Sequence, residues 1–211
     1  MLRLIYPPKC VLCGKLLPSQ VTDLCHDCRK DAPEFTRAKR NIPFIAQWRA
    51  IWYYKDAVRK SIHRFKFGNR RSYAQAYARL MAVAIQDNLL EKADIITWVP
   101  VSFQRKFRRG YDQSALVANA LAKETGLDCA PLLKKIRHTP PQSGIRTAEA
   151  RRANVQGAYK TRKRTPFAGK RILLIDDVVT TGATASECAK MLMLAGAKEV
   201  YFAAVVAAFD Q

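Results

Sequence analysis

The chain has 211 residues, 49% of them apolar, with 37 Lys and Arg against 17 Asp and Glu, for a formal charge of +20 at pH 7. That length accommodates one α/β domain plus a small appendage, and a domain of about 150 residues buries roughly 70% of its unfolded surface, so a core needs no cross-links. No uncharged apolar run reaches the ~18 residues of a membrane span, and Pro7, Pro8 and Lys9 cut short any signal-peptide core after Met1-Leu2-Arg3-Leu4-Ile5-Tyr6, which points to the cytoplasm.

Two cysteine knuckles come first. Cys10-x-x-Cys13 and Cys25-x-x-Cys28 stand eleven residues apart. Each knuckle offers two thiolates to one metal, and two knuckles complete a closed tetrahedral site, so Cys10, Cys13, Cys25 and Cys28 are read as ligands of a structural zinc ion. Paired disulfides would need an oxidising compartment, and a thioredoxin-like redox pair would need a βαβ context that residues 1–30 lack. The few apolar residues here (Val11, Leu12, Leu16, Leu17, Val21, Leu24) predict a module, 1–32, that is unfolded without metal. His26 reads as exposed, and Cys129 and Cys188 as buried small apolar residues. Residues 33–49, basic and bounded by Pro33 and Pro43, read as a connector to an α/β domain over 50–211.

In that domain Ala50–Tyr54 predicts a strand. Helices follow from Asp56 to about Gly68, with Val58, Ile62 and Phe65 on one face, and from Ser72 to about Lys92. Ile95–Val101 reads as a strand, Asp112–Thr125 as a helix closed by Gly126, and Leu132–Ile136 as a short strand. Residues 138–147 read as an exposed loop. A strand over Ile172–Ile175, a helix over 184–195 and a strand over Val200–Ala208 complete the pattern. Strands alternating with helices imply parallel βαβ units, a mostly parallel sheet with helices on both faces.

The charge is gathered into blocks. Residues 55–71 carry seven cations against one acid, residues 100–111 four against none, and residues 134–171 twelve against Glu149. A surface charged only for solubility scatters its cations, so blocks of one sign point to an anionic partner. In 99–113 a strand end leads into Arg105, Lys106, Arg108 and Arg109 among Phe103, Phe107 and Tyr111. Such cations suit a diphosphate through bidentate hydrogen bonds. They equally suit single-stranded nucleic acid, whose bases stack on the aromatic rings. A third reading is a basic helix start whose aromatics enter the core. His63-Arg64-Phe65-Lys66-Phe67, Arg70-Arg71 and Tyr73 repeat the interleaving of cations with rings. Arg146 and Arg151, around the Pro/Gly loop 138–147, are placed to close a lid over a polyanion.

The most specific stretch is Arg171-Ile172-Leu173-Leu174-Ile175-Asp176-Asp177-Val178-Val179-Thr180-Thr181-Gly182-Ala183-Thr184. An unbroken apolar run reads as a strand buried on both faces, ending at two carboxylates. The threonine-rich turn and the helix start after it form a phosphate cup. Asp176 and Asp177 suit sugar hydroxyls or a magnesium ion. The magnesium-holding strand of P-loop ATPases is excluded, since neither Gly14-Lys15 nor Gly169-Lys170 has a glycine five residues before it.

This stretch resembles the 5-phosphoribosyl-1-diphosphate (PRPP) signature of type I phosphoribosyltransferases. The resemblance implies that Asp176 and Asp177 take the ribose, and that Thr180, Thr181, Gly182, Ala183 and Thr184 take the 5-phosphate, with magnesium accompanying PRPP. Other motifs extend the resemblance over nearly the whole chain. They are the cysteine knuckles, Arg108-Arg109-Gly110-Tyr111-Asp112-Gln113, Thr139-Pro140-Pro141-Gln142 and Arg152-Ala153-Asn154-Val155-Gln156-Gly157. Together they resemble the bacterial ComF family of competence and DNA-utilisation proteins, with a departure at Asp112, where that family usually has Asn. The resemblance implies a zinc-finger-like N-terminus on a phosphoribosyltransferase-like domain. It also implies handling of imported single-stranded DNA in the cytoplasm, alongside competence and DNA-processing proteins. The alternative is an active magnesium-dependent phosphoribosyltransferase acting on a nucleobase, amine or other small nucleophile.

Overall fold

The computed structural model describes residues 8–18, 20–36, 40–140, 144–162 and 166–208. Met1 to Pro7, and Pro141, Gln142 and Ser143 of the expected loop, lie outside the described residues. The elements in chain order are α1 (His26–Asp31), β1 (Gln47–Tyr53), α2 (Asp56–Phe67), α3 (Tyr73–Ile85) and β2 (Ile95–Trp98), then α4 (Phe103–Arg109), α5 (Gln113–Thr125), β3 (Leu133–Lys135) and α6 (Ala148–Val155), and last β4 (Tyr159–Thr161), β5 (Arg171–Val179), α7 (Ala183–Leu194) and β6 (Glu199–Ala207).

The main sheet runs β1-β6-β5-β2 with every pairing parallel, while β3 and β4 form a separate antiparallel pair. Alternation along the central strands divides the core between the sheet faces. Leu173, Ile175, Tyr201, Ala203 and Val205 pack with Val58, Ile62, Tyr77, Met81 and Leu121 of α2, α3 and α5. Ile172, Leu174, Val200, Phe202 and Ala204 pack with Ala185, Cys188 and Leu192 of α7. Helices therefore cover both faces, as the βαβ pattern implied. After the adjacent strands β2 and β5 the chain leaves toward opposite faces, which opens a crevice at their carboxyl ends.

Three expectations change in detail. The acidic pair does not end its strand, because β5 keeps pairing with β6 through Val178–Val206 and Val179–Ala207. The neighbour β2 has stopped by then, at Trp98 opposite Ile175, so the β2 side of Asp176 and Asp177 is left open. The helix from Ser72 does not run evenly to Lys92; it gives way after Ile85 to a wider π-helical turn, Gln86–Leu90. The described part of 33–49 belongs to the fold, and β1 begins at Gln47 instead of Ala50. Phe35, Ile42 and Trp48 are buried, Phe35 N donates to Ile51 O at 3.0 Å, and Tyr53 N donates to Pro33 O at 2.7 Å.

The cysteine module is seated on the same core. Val11, Leu12, Leu17 and Leu24 are buried with Ile62, Phe65 and Tyr77. Burying four such side chains contributes on the order of 6–12 kcal/mol as an upper bound. Arg79 of α3 holds Asp23 with both Nη2 (2.6 Å) and Nε (3.0 Å). From α2, Ser61 donates to the Val11 carbonyl and Arg64 to that of Leu12. The few apolar residues of the module thus serve mainly to dock it; Leu16 alone of the larger ones stays open, at 63% exposure.

Candidate functional site

The four knuckle sulfurs lie within 4.8 Å of one another, and Cys13 Sγ is 3.7 Å from Cys25 Sγ. A tetrahedron with Zn–S of about 2.3 Å has edges of about 3.8 Å, so the sulfurs fit a zinc ion. Tight turns place them: Gly14, at φ +82°, lets its N–H reach back to Cys10 O at 2.8 Å, and Lys15 N points at Cys13 Sγ. Four thiolates leave no open position, which makes the zinc structural. His26 faces solvent, with its side chain 92% exposed.

The second site is a cleft of about 450 Å³ in the crevice at the strand ends. Its floor is the acidic pair. Asp176 Oδ1 accepts from Ser114 Oγ and from the Asp177 amide, both at 2.8 Å. Asp177 Oδ1 meets the Lys66 ammonium of α2 at 2.9 Å. Burial, followed by the neighbouring Asp177 charge, lifts the Asp176 carboxyl to about 7. Magnesium wants near-octahedral oxygen at about 2.0–2.1 Å. With Lys66 on Asp177 and two donors on Asp176, the floor does not fit a directly bound magnesium ion.

Thr180, Thr181, Gly182, Ala183 and Thr184 form one wall of this cleft. Gly182 caps α7 at φ +77°, and an added Cβ would stand 2.8 Å from Ile42 Cγ1, so the turn needs glycine both for its conformation and for the close approach of Ile42. Among the described residues nothing accepts from the amides of Thr180, Thr181 or Gly182, while Ala183 N lies 3.4 Å from Thr181 Oγ1. Unpaired amides at the start of a twelve-residue helix are donors of the kind that anions take up.

Another part of the lining is cationic. Arg105, Arg108, Arg109 and Lys135 form it with Thr139 and Tyr159. Arg105 donates to Thr139 O and Lys135 to Thr139 Oγ1, both at 2.8 Å, and Lys135 sits 5.1 Å over the Tyr159 ring. Burial and the Arg105 charge depress Lys135 to about 8. Three buried polar atoms without a partner among the described residues (Ser102 Oγ, Arg109 Nε and Gln113 Nε2) collect where α4 meets α5.

The structure therefore gathers Asp176, Asp177, the 180–184 turn, Arg105, Arg108 and Arg109 around one cleft. Lys106 is exposed and does not line it; Arg146 is exposed too, and Arg151 turns its Nε to Ile145 O at 2.8 Å. Of the aromatics, Phe103 (81% exposed) and Phe107 (83%) stack on each other on α4, with centroids 6.5 Å apart. Tyr111 is buried with its hydroxyl on Phe65 O, so it is no stacking platform. Asp112 caps α5, accepting from Ala115 N (3.1 Å) and Val101 N (3.2 Å). Lys66, Ser114 and Lys135 were not singled out as site residues, since no local motif marks them.

Comparison with known proteins finds two family matches along the chain. Residues 1–39 match the double zinc ribbon domain and residues 88–210 the phosphoribosyl transferase domain. Competence protein F of Haemophilus influenzae is 30% identical over 199 residues, 92% of this chain and 82% of that protein. DNA utilization protein YhgH of Escherichia coli K12 is 30% identical over 90% of this chain and 80% of its own. Competence protein ComFC of Bacillus subtilis is 28% identical over 89% and 72%. Among solved structures, a glutamine PRPP amidotransferase from B. subtilis aligns at 23% identity and a TM-score of 0.46, over 67% of this chain and 30% of that one.

Proposed function

The chain belongs to the ComF family of competence and DNA-utilisation proteins, a phosphoribosyl transferase domain behind a double zinc ribbon, and from that premise we propose that it handles imported single-stranded DNA in the cytoplasm through a cleft that binds a PRPP-like group. The observation that carries this reading is the cleft's pairing of opposites. The open amides of Thr180, Thr181 and Gly182 share the cleft with an excess of cations (Arg105, Arg108, Arg109, Lys135) and the two carboxylates. A phosphate seated in the turn leaves the ribose hydroxyls beside Asp176 and Asp177 and any second phosphate beside the arginines.

The rim supports the DNA part. Phe103 and Phe107 stand in solvent next to Arg105 and Arg108, and exposed rings beside cations accept stacked bases without regard to sequence. A strand neutralised at about six phosphates loses roughly 300-fold in affinity between 50 and 200 mM salt. The deciding experiment is a competition in which a labelled single strand is titrated onto the protein with and without PRPP. Displacement in both directions is expected, and independent binding, or a flat salt response, rejects a shared cleft.

A second reading, phosphoribosyl transfer to a small nucleophile, is favoured by the same open turn. Positioned charge stabilises a cationic ribosyl centre without a dedicated acid or base. Diphosphate release from PRPP in the presence of candidate acceptors tests it.

A further inference from the structure

Lys66 differs from the other described cations of the cleft in pairing directly with the acidic floor. The arginines and Lys135 line the cleft from α4 and β3, whereas Lys66 reaches from α2 to Asp177 Oδ1 at 2.9 Å, with only 20% and 11% of the two side chains exposed. It is also held in place, since Ser61 and Arg64 fasten the same helix to the Val11 and Leu12 carbonyls. Its charge acts on the neighbouring Asp176 as well. The remaining donors on the floor, Ser114 Oγ and the Asp177 amide, both converge on Asp176 Oδ1. Two oxygens of the acidic pair are thereby engaged, one of them by a full positive charge. A divalent ion brought to these carboxylates would meet that ammonium at close range, and its repulsion would oppose binding. The pair's other oxygens stay open to neutral hydroxyl donors.

We infer that Lys66 is a built-in counter-ion of the acidic pair, so that the cleft takes a ribose 5-phosphate group with no divalent cation on its carboxylates. The inference rests on the reading of the cleft as a phosphoribosyl site. It assigns a role to a residue outside both matched domains, 1–39 and 88–210.

The test is calorimetric titration of the full zinc-loaded chain with ribose 5-phosphate, which lacks the diphosphate that would itself chelate metal. Buffers are freed of divalent ions by resin, so that the structural zinc is not stripped, or contain millimolar magnesium. The unaltered protein should bind equally in both. Lys66→Met should bind at least about tenfold more weakly without magnesium, recover with it, and gain a manganese(II) site visible as loss of the free-ion paramagnetic signal. Lys66→Arg should behave as the unaltered chain. A magnesium requirement or a manganese site in the unaltered protein overturns the inference and leaves the cleft's reading standing. That manganese titration decides the matter even if Lys66→Met fails to fold. Absence of ribose 5-phosphate binding in every protein and buffer overturns the reading of the cleft, and the inference with it.

Discussion

The second half of α2 touches two sites built on opposite plans. The cysteine module is tied internally and to the core: four sulfurs lie within 4.8 Å of one another, turn amides point at Cys10 O and Cys13 Sγ, and Asp23 is gripped twice by Arg79. At the cleft the account is left open, with the amides of Thr180, Thr181 and Gly182 lacking an acceptor among the described residues and cations outnumbering the two carboxylates. A saturated site holds its own fold together, while an unsatisfied one awaits a ligand. The same contrast sets four sulfurs that fit a metal at the first site against carboxylates paired with a lysine at the second.

Perturbing each side should separate stability from binding. The largest effect belongs to the module. Cys25→Ser breaks a site whose metal contributes on the order of 10–16 kcal/mol of apparent folding energy, and it should release zinc to a colorimetric chelator and lower the melting temperature of the whole chain, because Val11, Leu12 and Leu24 leave a shared core. Removing the Asp23 anchor comes next. Arg79→Ala leaves a carboxylate only 9% exposed without its partner, and since Arg79 itself is 40% exposed the cost should be about 1–2 kcal/mol in urea unfolding.

On the cleft side the order reverses. Gly182→Ala forces a side chain into φ +77° against Ile42, costing about 1–2 kcal/mol of stability while abolishing ribose 5-phosphate binding; Ile42→Ala should restore part of the stability and little of the binding. Arg105→Ala and Arg108→Ala should leave melting nearly unchanged but each remove about 0.7 from the salt slope of single-strand binding, with Arg146→Ala as the silent control.

The smallest effect is on pH. Asp176 ionises near about 7 and Lys135 loses its proton near about 8, so phosphoribosyl binding should peak between those values and weaken on either side. For Asp176 alone the folded value lies above the unfolded one of about 3.9, so the folded state holds the extra proton between roughly 4 and 7 and this group's contribution to stability declines as pH rises through that window. A monotonic binding profile across pH 6–9 would exclude the assignment.

What could be read from the amino acids was what is local. Cys-x-x-Cys spacing and the run from Ile172 to Thr184 carry their chemistry within a few residues, and β5, α7 and the zinc site follow from them. Asp112 stood out as a departure from the Asn usual in the resembled family, and its work is to cap α5. Tyr111 looked like its neighbours Phe103 and Phe107, and only its hydroxyl on Phe65 O, on a different helix, draws it inward. The basic, proline-bounded connector concealed Phe35, Ile42 and Trp48, whose burial depends on a sheet assembled from the far end of the chain. Lys66 lay within a block of seven cations, and nothing in that block distinguishes the one that meets Asp177.

The stretch Ser61–Lys66 has a practical consequence for anyone dissecting this protein. Within it Ser61 and Arg64 hold the module, Phe65 offers its carbonyl to Tyr111 at the basic elbow, and Lys66 touches the floor carboxylate. Truncation of residues 1–39 would strip the acceptors from Ser61 and Arg64 and lay Ile62 and Tyr77 bare, leaving the tether of Lys66 slack. A fragment lacking the ribbon would therefore report on a damaged receptor, and its failure to bind would say little about what the ribbon itself recognises.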